Sequence, residues 1–376
     1  MMKQRICRPL VLALAGALAL TGCFGRGNGS SSSASPAPSA SAGSASSGAG
    51  TGYAAGGTGL ALTAKTSGMD PFDGEAGYAQ ADVTATAVLL DGEGRIADCI
   101  IDVVQAKLPV DDSGQLGFTD EDAFPTKREL GDDYGLRQAS GIGREWDEQV
   151  NAFCAYVKGK TPMEVAGIAA PGGHAADPDL AAGCTINISE FQQGVLAACE
   201  NAVPMGASPE DTLTLGLVTR ADGMAATAQQ AGTARATTTV AALTLNSEGR
   251  ITSARLDETE AGFGLSAAGV LSYPEALLSK YAQGDAYGAD SLLGSGMADG
   301  AVSSGLESDG TGSWYRQADA FGRWLNGRTA DEVSALRLDE QGRPTDQDIL
   351  AGTAMPIENF VKAIQKACEN ADKPVN

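Results

Sequence analysis

The chain repeats itself, and that repetition limits its possible folds more than any other feature. Gly92-Glu93-Gly94-Arg95-Ile96 recurs as Ser247-Glu248-Gly249-Arg250-Ile251. Lys127, followed by Gly131-Asp132-Asp133-Tyr134-Gly135, recurs as Lys280 followed by Gly284-Asp285-Ala286-Tyr287-Gly288. Trp146, Gln149, Ala152 and Phe153 return as Trp314, Gln317, Ala320 and Phe321, and Ala198-Cys199-Glu200-Asn201-Ala202 returns as Ala367-Cys368-Glu369-Asn370-Ala371. The offset between partners moves from 155 to 153, 168 and 169 residues, so the main insertion, about fifteen residues, falls between Gly296 and Trp314. Four blocks in one order define two diverged copies of a domain-sized unit, residues 58–204 and 208–374.

Each copy predicts the same elements. A short strand (Leu60 to Thr66; Leu213 to Thr219) precedes a longer one of alternating character (Asp82 to Leu90; Thr237 to Leu245). A Gly-containing turn then leads into a third strand beginning at Arg95 or Arg250, which makes a hairpin. The period then changes. Trp146, Val150, Phe153 and Val157, matched by Trp314, Ala318, Phe321 and Leu325, fall on one stripe of a helix that faces a core. Thr161-Pro162-Met163-Glu164 and Thr329-Ala330-Asp331-Glu332 are capping boxes that open further helices, and another begins after Met355-Pro356. Strands followed by helices within one unit predict an α+β class: two similar domains, each a small antiparallel sheet with helices packed on one face.

The N-terminus reads as an export signal over residues 1–22. Lys3, Arg5 and Arg8 precede an apolar run from Val11 to Leu20, too short to span a bilayer core of roughly 30 Å. Leu20-Thr21-Gly22-Cys23 resembles the lipobox of bacterial lipoproteins. That resemblance implies cleavage before Cys23, lipidation of its thiol, and anchorage to a bilayer at the outer face of the cell membrane. Two acyl chains suffice for such an anchor. Residues 23–57, rich in Gly, Ser and Ala, predict a flexible tether of roughly 30 Å root-mean-square span.

Charge narrows the partners. The net charge is −21, and loss of the three basic residues of the signal leaves −24. Nucleic acid is excluded as a partner, because an acidic chain gains nothing from counterion release. The chain has one histidine, His174, in a turn-like Pro-Gly-Gly-His context. A His-based triad, a zinc site with several His, and bis-His haem ligation are therefore poor fits. Beyond Cys7 and Cys23 lie Cys99, Cys154, Cys184, Cys199 and Cys368, with no CxxC pair. Their apolar settings suggest buried thiols with at most one or two bridges.

The hairpin turn Asp91-Gly92-Glu93-Gly94-Arg95-Ile96, with a Ser-Gly element before an amphipathic helix, resembles the FMN-binding domain family. Members hold riboflavin phosphate, often covalently on a Ser or Thr, and serve electron-transfer chains. The resemblance implies cofactor contacts at Ser140, Gly141, Ile142 and Gly143, with Leu293, Gly294, Ser295 and Gly296 aligned in the second copy. The acceptor position is Gly143, or Gly296, so non-covalent FMN is expected in preference to covalent; Thr311 and Ser313 lie nearby outside the motif. On their own terms, Lys127 and Lys280 could neutralise a phosphate, Tyr134 and Tyr287 could stack on a ring, and main-chain N–H groups of the Gly-rich segment could cradle an anion. The same residues also read as a turn with a packed Tyr.

Two functions follow. One is a membrane-anchored flavoprotein module for extracellular electron transfer, serving a membrane redox partner without independent catalysis. The other is a cofactor-free scaffold that binds an envelope component. A hydrolase ranks below both, because Asp111-Asp112 and Asp132-Asp133 read as solvated loop carboxylates and no nucleophile–base pair is visible.

Overall fold

A computed structural model describes residues 56–287 and 313–371. The proposed signal, Cys23, nearly all of the tether and residues 288–312 lie outside the described residues, and with them Leu293 to Gly296 and Thr311. The described residues belong to one compact unit.

The first copy opens with three long strands: β1 (Thr58–Met69), β2 (Gly77–Leu90) and β3 (Ile96–Val110). Five helices follow: α1 (Lys127–Leu130), α2 (Trp146–Val157), α3 (Pro162–Ala166), α4 (Pro178–Ala181) and α5 (Ser189–Glu200). The second copy repeats the order with β4 (Thr212–Met224), β5 (Gly232–Leu245) and β6 (Ile251–Leu265), then two short strands, β7 (Leu271–Ser272) and β8 (Ala276–Leu277). Its helices are α6 (Lys280–Gln283), α7 (Trp314–Leu325), α8 (Ala330–Ser334), α9 (Gln347–Leu350) and α10 (Glu358–Ala371). None of the described helices is long and apolar enough to cross a membrane. The α+β class is as expected, with two antiparallel sheets ordered β3-β2-β1-β8 and β4-β5-β6-β7.

Local chemistry sets these elements. In the β2–β3 turn the Asp91 side chain accepts from the N–H groups of Glu93 and Arg95, both at 2.8 Å, and Asn246 does the same for Glu248 and Arg250. Gly94 and Gly249 supply the left-handed residue, at φ 73° and 72°. Capping boxes close the N-termini of α1, α2, α3 and α8. The inner face of α2 buries Trp146, Gln149, Val150, Phe153, Cys154 and Val157, and α7 buries the equivalent six positions.

The strands exceed the expected lengths, and the second half of β2 is buried at every position. Two layers cover it. On one face the helices build a core from Val88, Leu90, Ile101, Trp146, Phe153 and Val195 among others. On the other face lies the sheet of the second copy. Leu60, Val83, Ala85, Ala87 and Leu89 meet Leu213, Leu215, Leu217, Val240 and Ala242 there. Farther along, alanines dominate both sides, including Ala79, Ala81, Ala106, Ala221, Ala234, Ala236 and Ala261. The layers therefore run helix, sheet, sheet, helix. Strand β1 lies against β6, β2 against β5, and β3 against β4. Exchanging the copies maps this pattern onto itself, the signature of a two-fold self-complementary interface.

Among the described strands, β8 breaks the two-fold. Strand β8 pairs with β1 through Ala64 and Lys65, so the second copy adds a strand to the sheet of the first. The counterpart segment, Ala123-Phe124, makes no such pair among the described residues.

Candidate functional site

Lys127 and Lys280 open α1 and α6, whose N-termini are capped by Thr126 and Ser279. Beneath each start lies a buried aspartate at equivalent positions of β3 and β6. Asp102 accepts from the N–H groups of Val103 at 2.8 Å and Arg128 at 3.3 Å. Asp257 accepts from Glu258 at 2.7 Å and Tyr281 at 3.0 Å. Burial pushes both carboxyls up, and that of Asp257 reaches about 7.

Fixed in this way, the two lysines meet the same aromatic pair. The Lys127 ammonium lies 4.8 Å from the Tyr134 ring centre and 5.3 Å from that of Trp146. For Lys280 the distances are 4.9 Å to Tyr287 and 5.9 Å to Trp314. These are cation–π separations.

Their electrostatics differ. Lys280 Nζ is 2.6 Å from Glu258 Oε1 and 3.3 Å from Glu260 Oε2. Burial works against its charge, yet Glu258, Tyr287 and Glu260 outweigh that cost and hold the ammonium well above its ordinary range. Arg235 continues the network from Glu260, at 3.1 Å, to Asp222, at 2.8 Å. In the first copy Val103 and Gln105 occupy the positions of the two glutamates. Among the described residues, no carboxylate lies within ion-pair distance of Lys127.

A cleft of about 440 Å³ opens beside Lys127, where the two-fold is broken. Its walls include Gln105, Lys107, Pro109, Phe118, Phe124 and Lys127. Phe118 is buried and Phe124 is half-buried, whereas Gln105 and Lys107 are exposed. The space lies within the ordinary range for small-molecule sites, about 300–1,000 Å³.

The loop before α2 is arranged otherwise. The Glu145 carboxylate, 1% exposed, accepts from the N–H groups of Leu136 at 2.6 Å and Arg137 at 2.8 Å. An internal carboxylate thus takes main-chain donors that an incoming phosphate would use. Arg137 is held in turn by Asp132 at 2.7 Å and Glu148 at 2.8 Å. Ser140 Oγ accepts from Gln149 Nε2 at 3.1 Å, and the other end of that amide accepts from Thr185 N–H at 2.9 Å. Gly141 and Gly143 are exposed, and Gly143 takes φ 63°. The structure therefore brings together Lys127 and Tyr134, and likewise Lys280 and Tyr287. Ser140, Gly141 and Gly143 sit in a separate loop and do not line the cleft.

Glu145, Glu258 and the Asp102/Asp257 pair carry much of this arrangement, and the sequence reading did not single them out. The repeat offset of 155 residues aligns the two aspartates and was the available signal. His174 is exposed, with Nδ1 2.9 Å from the Thr185 carbonyl oxygen. Among the described cysteines, Cys99, Cys154, Cys184 and Cys199 are buried thiols and Cys368 is half-buried.

No family model matches the chain, and no solved structure is significantly similar to it. The chain is similar in part to a chlorophenol reductase of Desulfitobacterium hafniense, 33% identical over 99 residues. The match spans 22% of this chain and 29% of that protein's length.

Proposed function

We propose that the first copy carries a non-covalent flavin in the cleft beside Lys127, on a protein anchored through Cys23 at the outer face of the cell membrane, and that it passes electrons to or from a membrane partner. One contrast carries this reading: Lys280 is locked by two glutamates, whereas Lys127 borders a cleft and has no ion-pair partner among the described residues.

The residues at the cleft fit a planar ring with an anionic tail. Phe118, Phe124 and Pro109 offer apolar walls, and Lys107 and Lys127 offer charge for a phosphate, against the single carboxylate of Asp122 on the same lining. Bound FMN would supply one- and two-electron chemistry, with the protein providing the seat and its electrostatics. Lys127 would hold the anionic tail, and Tyr134 and Trp146 behind it would fix the direction of the ammonium. The similarity to a chlorophenol reductase supports a redox setting. The second copy, with its lysine neutralised, serves as the structural partner of the first.

A second reading draws on Glu145. Its carboxylate occupies the backbone donors before α2, as expected of a fold that holds no phosphate there and displays a surface to an envelope partner instead.

An FMN titration of the purified chain, followed by quenching of flavin fluorescence, separates the two readings. The flavin reading expects saturable binding that Lys127→Met weakens roughly tenfold, the effect of ~1.4 kcal/mol, and that Lys127→Arg retains. A colourless chain from its native host that fails to quench added FMN would leave only the scaffold.

A further inference from the structure

The helix-side core of the first copy holds four buried thiols, those of Cys99, Cys154, Cys184 and Cys199. Two of them touch. Cys99 on β3 and Cys154 on α2 are in side-chain hydrogen-bond contact and are 3% and 4% exposed. Cys184 and Cys199 lie in the same core without a hydrogen bond to another thiol among the described residues.

The second copy gives an independent measure of how closely these two positions approach. Their counterparts are Ala254 and Gly322, so both cysteines are replaced together. At Gly322 an added Cβ would lie 2.8 Å from the Ala254 carbonyl oxygen and 3.7 Å from its carbonyl carbon. This turn of the helix rides directly on this residue of the strand. That distance runs to the strand backbone, so it shows helix and strand in direct contact at these positions, as a disulfide with Cβ atoms about 3.5–4.5 Å apart needs.

We propose that Cys99 and Cys154 form a disulfide that ties β3 to α2 in the first copy. The oxidant is a disulfide-bearing molecule, such as oxidised glutathione or an oxidoreductase disulfide. The Cys154 thiolate attacks one of its sulfurs, and the other leaves as a thiolate. Cys99 then loses its proton and attacks the Cys154 sulfur of the mixed disulfide, expelling the second thiolate. Two thiols become one S–S bond, and the two electrons and two protons released convert the oxidant to two thiols. Because both sulfurs are buried in the finished fold, the first exchange precedes docking of α2. The bond closes a loop of about fifty-five residues, which restricts the unfolded chain. Its persistence after folding rests on the export reading, since an oxidising compartment preserves disulfides; its formation by an added oxidant does not.

The full-length chain is purified from its host with thiols blocked at lysis, and a second sample is unfolded, reduced and refolded with oxidised glutathione. Both are digested without reductant and mapped by mass. The proposal expects one cross-linked peptide pair joining Cys99 and Cys154, two hydrogens lighter than the separate peptides. It also expects the thermal midpoint to fall by several degrees once the bond is reduced in denaturant and the chain refolded with its thiols blocked. Cys184→Ser/Cys199→Ser keeps the cross-link. If the refolded sample yields alkylated Cys99 and Cys154, or a bridge from either to another cysteine, the assignment is wrong. A bridge in the refolded sample alone upholds the pairing and overturns its persistence in the host.

Discussion

Lys127 and Lys280 occupy equivalent positions over equivalent aromatic pairs, and the difference between them rests on residues two strand positions apart. Where the first copy has Val103 and Gln105, the second has Glu258 and Glu260. Removing the charge at Lys280 would leave two carboxylates without their main partner, one of them buried, so Lys280→Met should cost on the order of 3–5 kcal/mol in urea unfolding. Lys127→Met loses only cation–π attraction, ~0.5–1 kcal/mol. Equal costs would contradict the different surroundings described for the two. Asp257 supplies a pH signature. Burial raises its folded-state pKa from 3.8 to about 7, so its neutral form stabilises the fold fully below the ordinary value, and that contribution is lost as pH rises through about 7. Relative to Asp257→Asn, which can still accept the Glu258 and Tyr281 N–H bonds, the unchanged chain should lose stability between about pH 4 and pH 8; a gain over that range would rule this out. At this scale the sequence singled out the lysines and tyrosines, which the structure brings together in each copy. It could not show that Glu145 fills the backbone donors before α2, because a carboxylate beside a helix start reads the same whether it faces water or the chain.

Among the elements, helix starts were the most legible. Thr161-Pro162-Met163-Glu164 and Thr329-Ala330-Asp331-Glu332 form the capping boxes their spacing predicts, since that chemistry is complete within four residues. Strand lengths were less so. Strand β2 begins at Gly77, before the expected Asp82, and its added residues Gly77-Tyr78-Ala79-Gln80-Ala81 include no β-branched side chain to mark a strand. The helices sit close to the sheets through glycine. At Gly216 on β4 an added Cβ would fall 2.1 Å from the Ala363 carbonyl oxygen of α10, and at Gly59 on β1 it would fall 1.9 Å from that of Ala198 on α5. Gly216→Ala must push α10 off the sheet, and we expect a loss on the order of 1–3 kcal/mol by chemical denaturation. A neutral result would mean that α10 is free to shift.

For the molecule as a whole, the sequence supplied two copies but not how they meet. Periodicity reports which residues of a strand face inward, not what lies opposite, and the apolar runs of β2 and β5 are silent about a second sheet. Leu60, Val83 and Leu89 lose water only when Leu213, Leu217 and Val240 cover them. A single copy, residues 58–204, should therefore expose that face, bind a hydrophobic dye and self-associate in sedimentation, whereas the complete chain should do neither. A compact, monomeric single copy would show that each unit is independent. The self-complementary packing of β1 on β6 and β3 on β4 has a further meaning. Two separate copies of such a unit would pair by mass action, and dilution would part them. Joined in one chain, each half meets its mate at a fixed effective concentration that dilution does not alter. One half is then free to drift as long as the pairing face survives: the first copy has a cleft beside Lys127, while the second holds Lys280 against two glutamates.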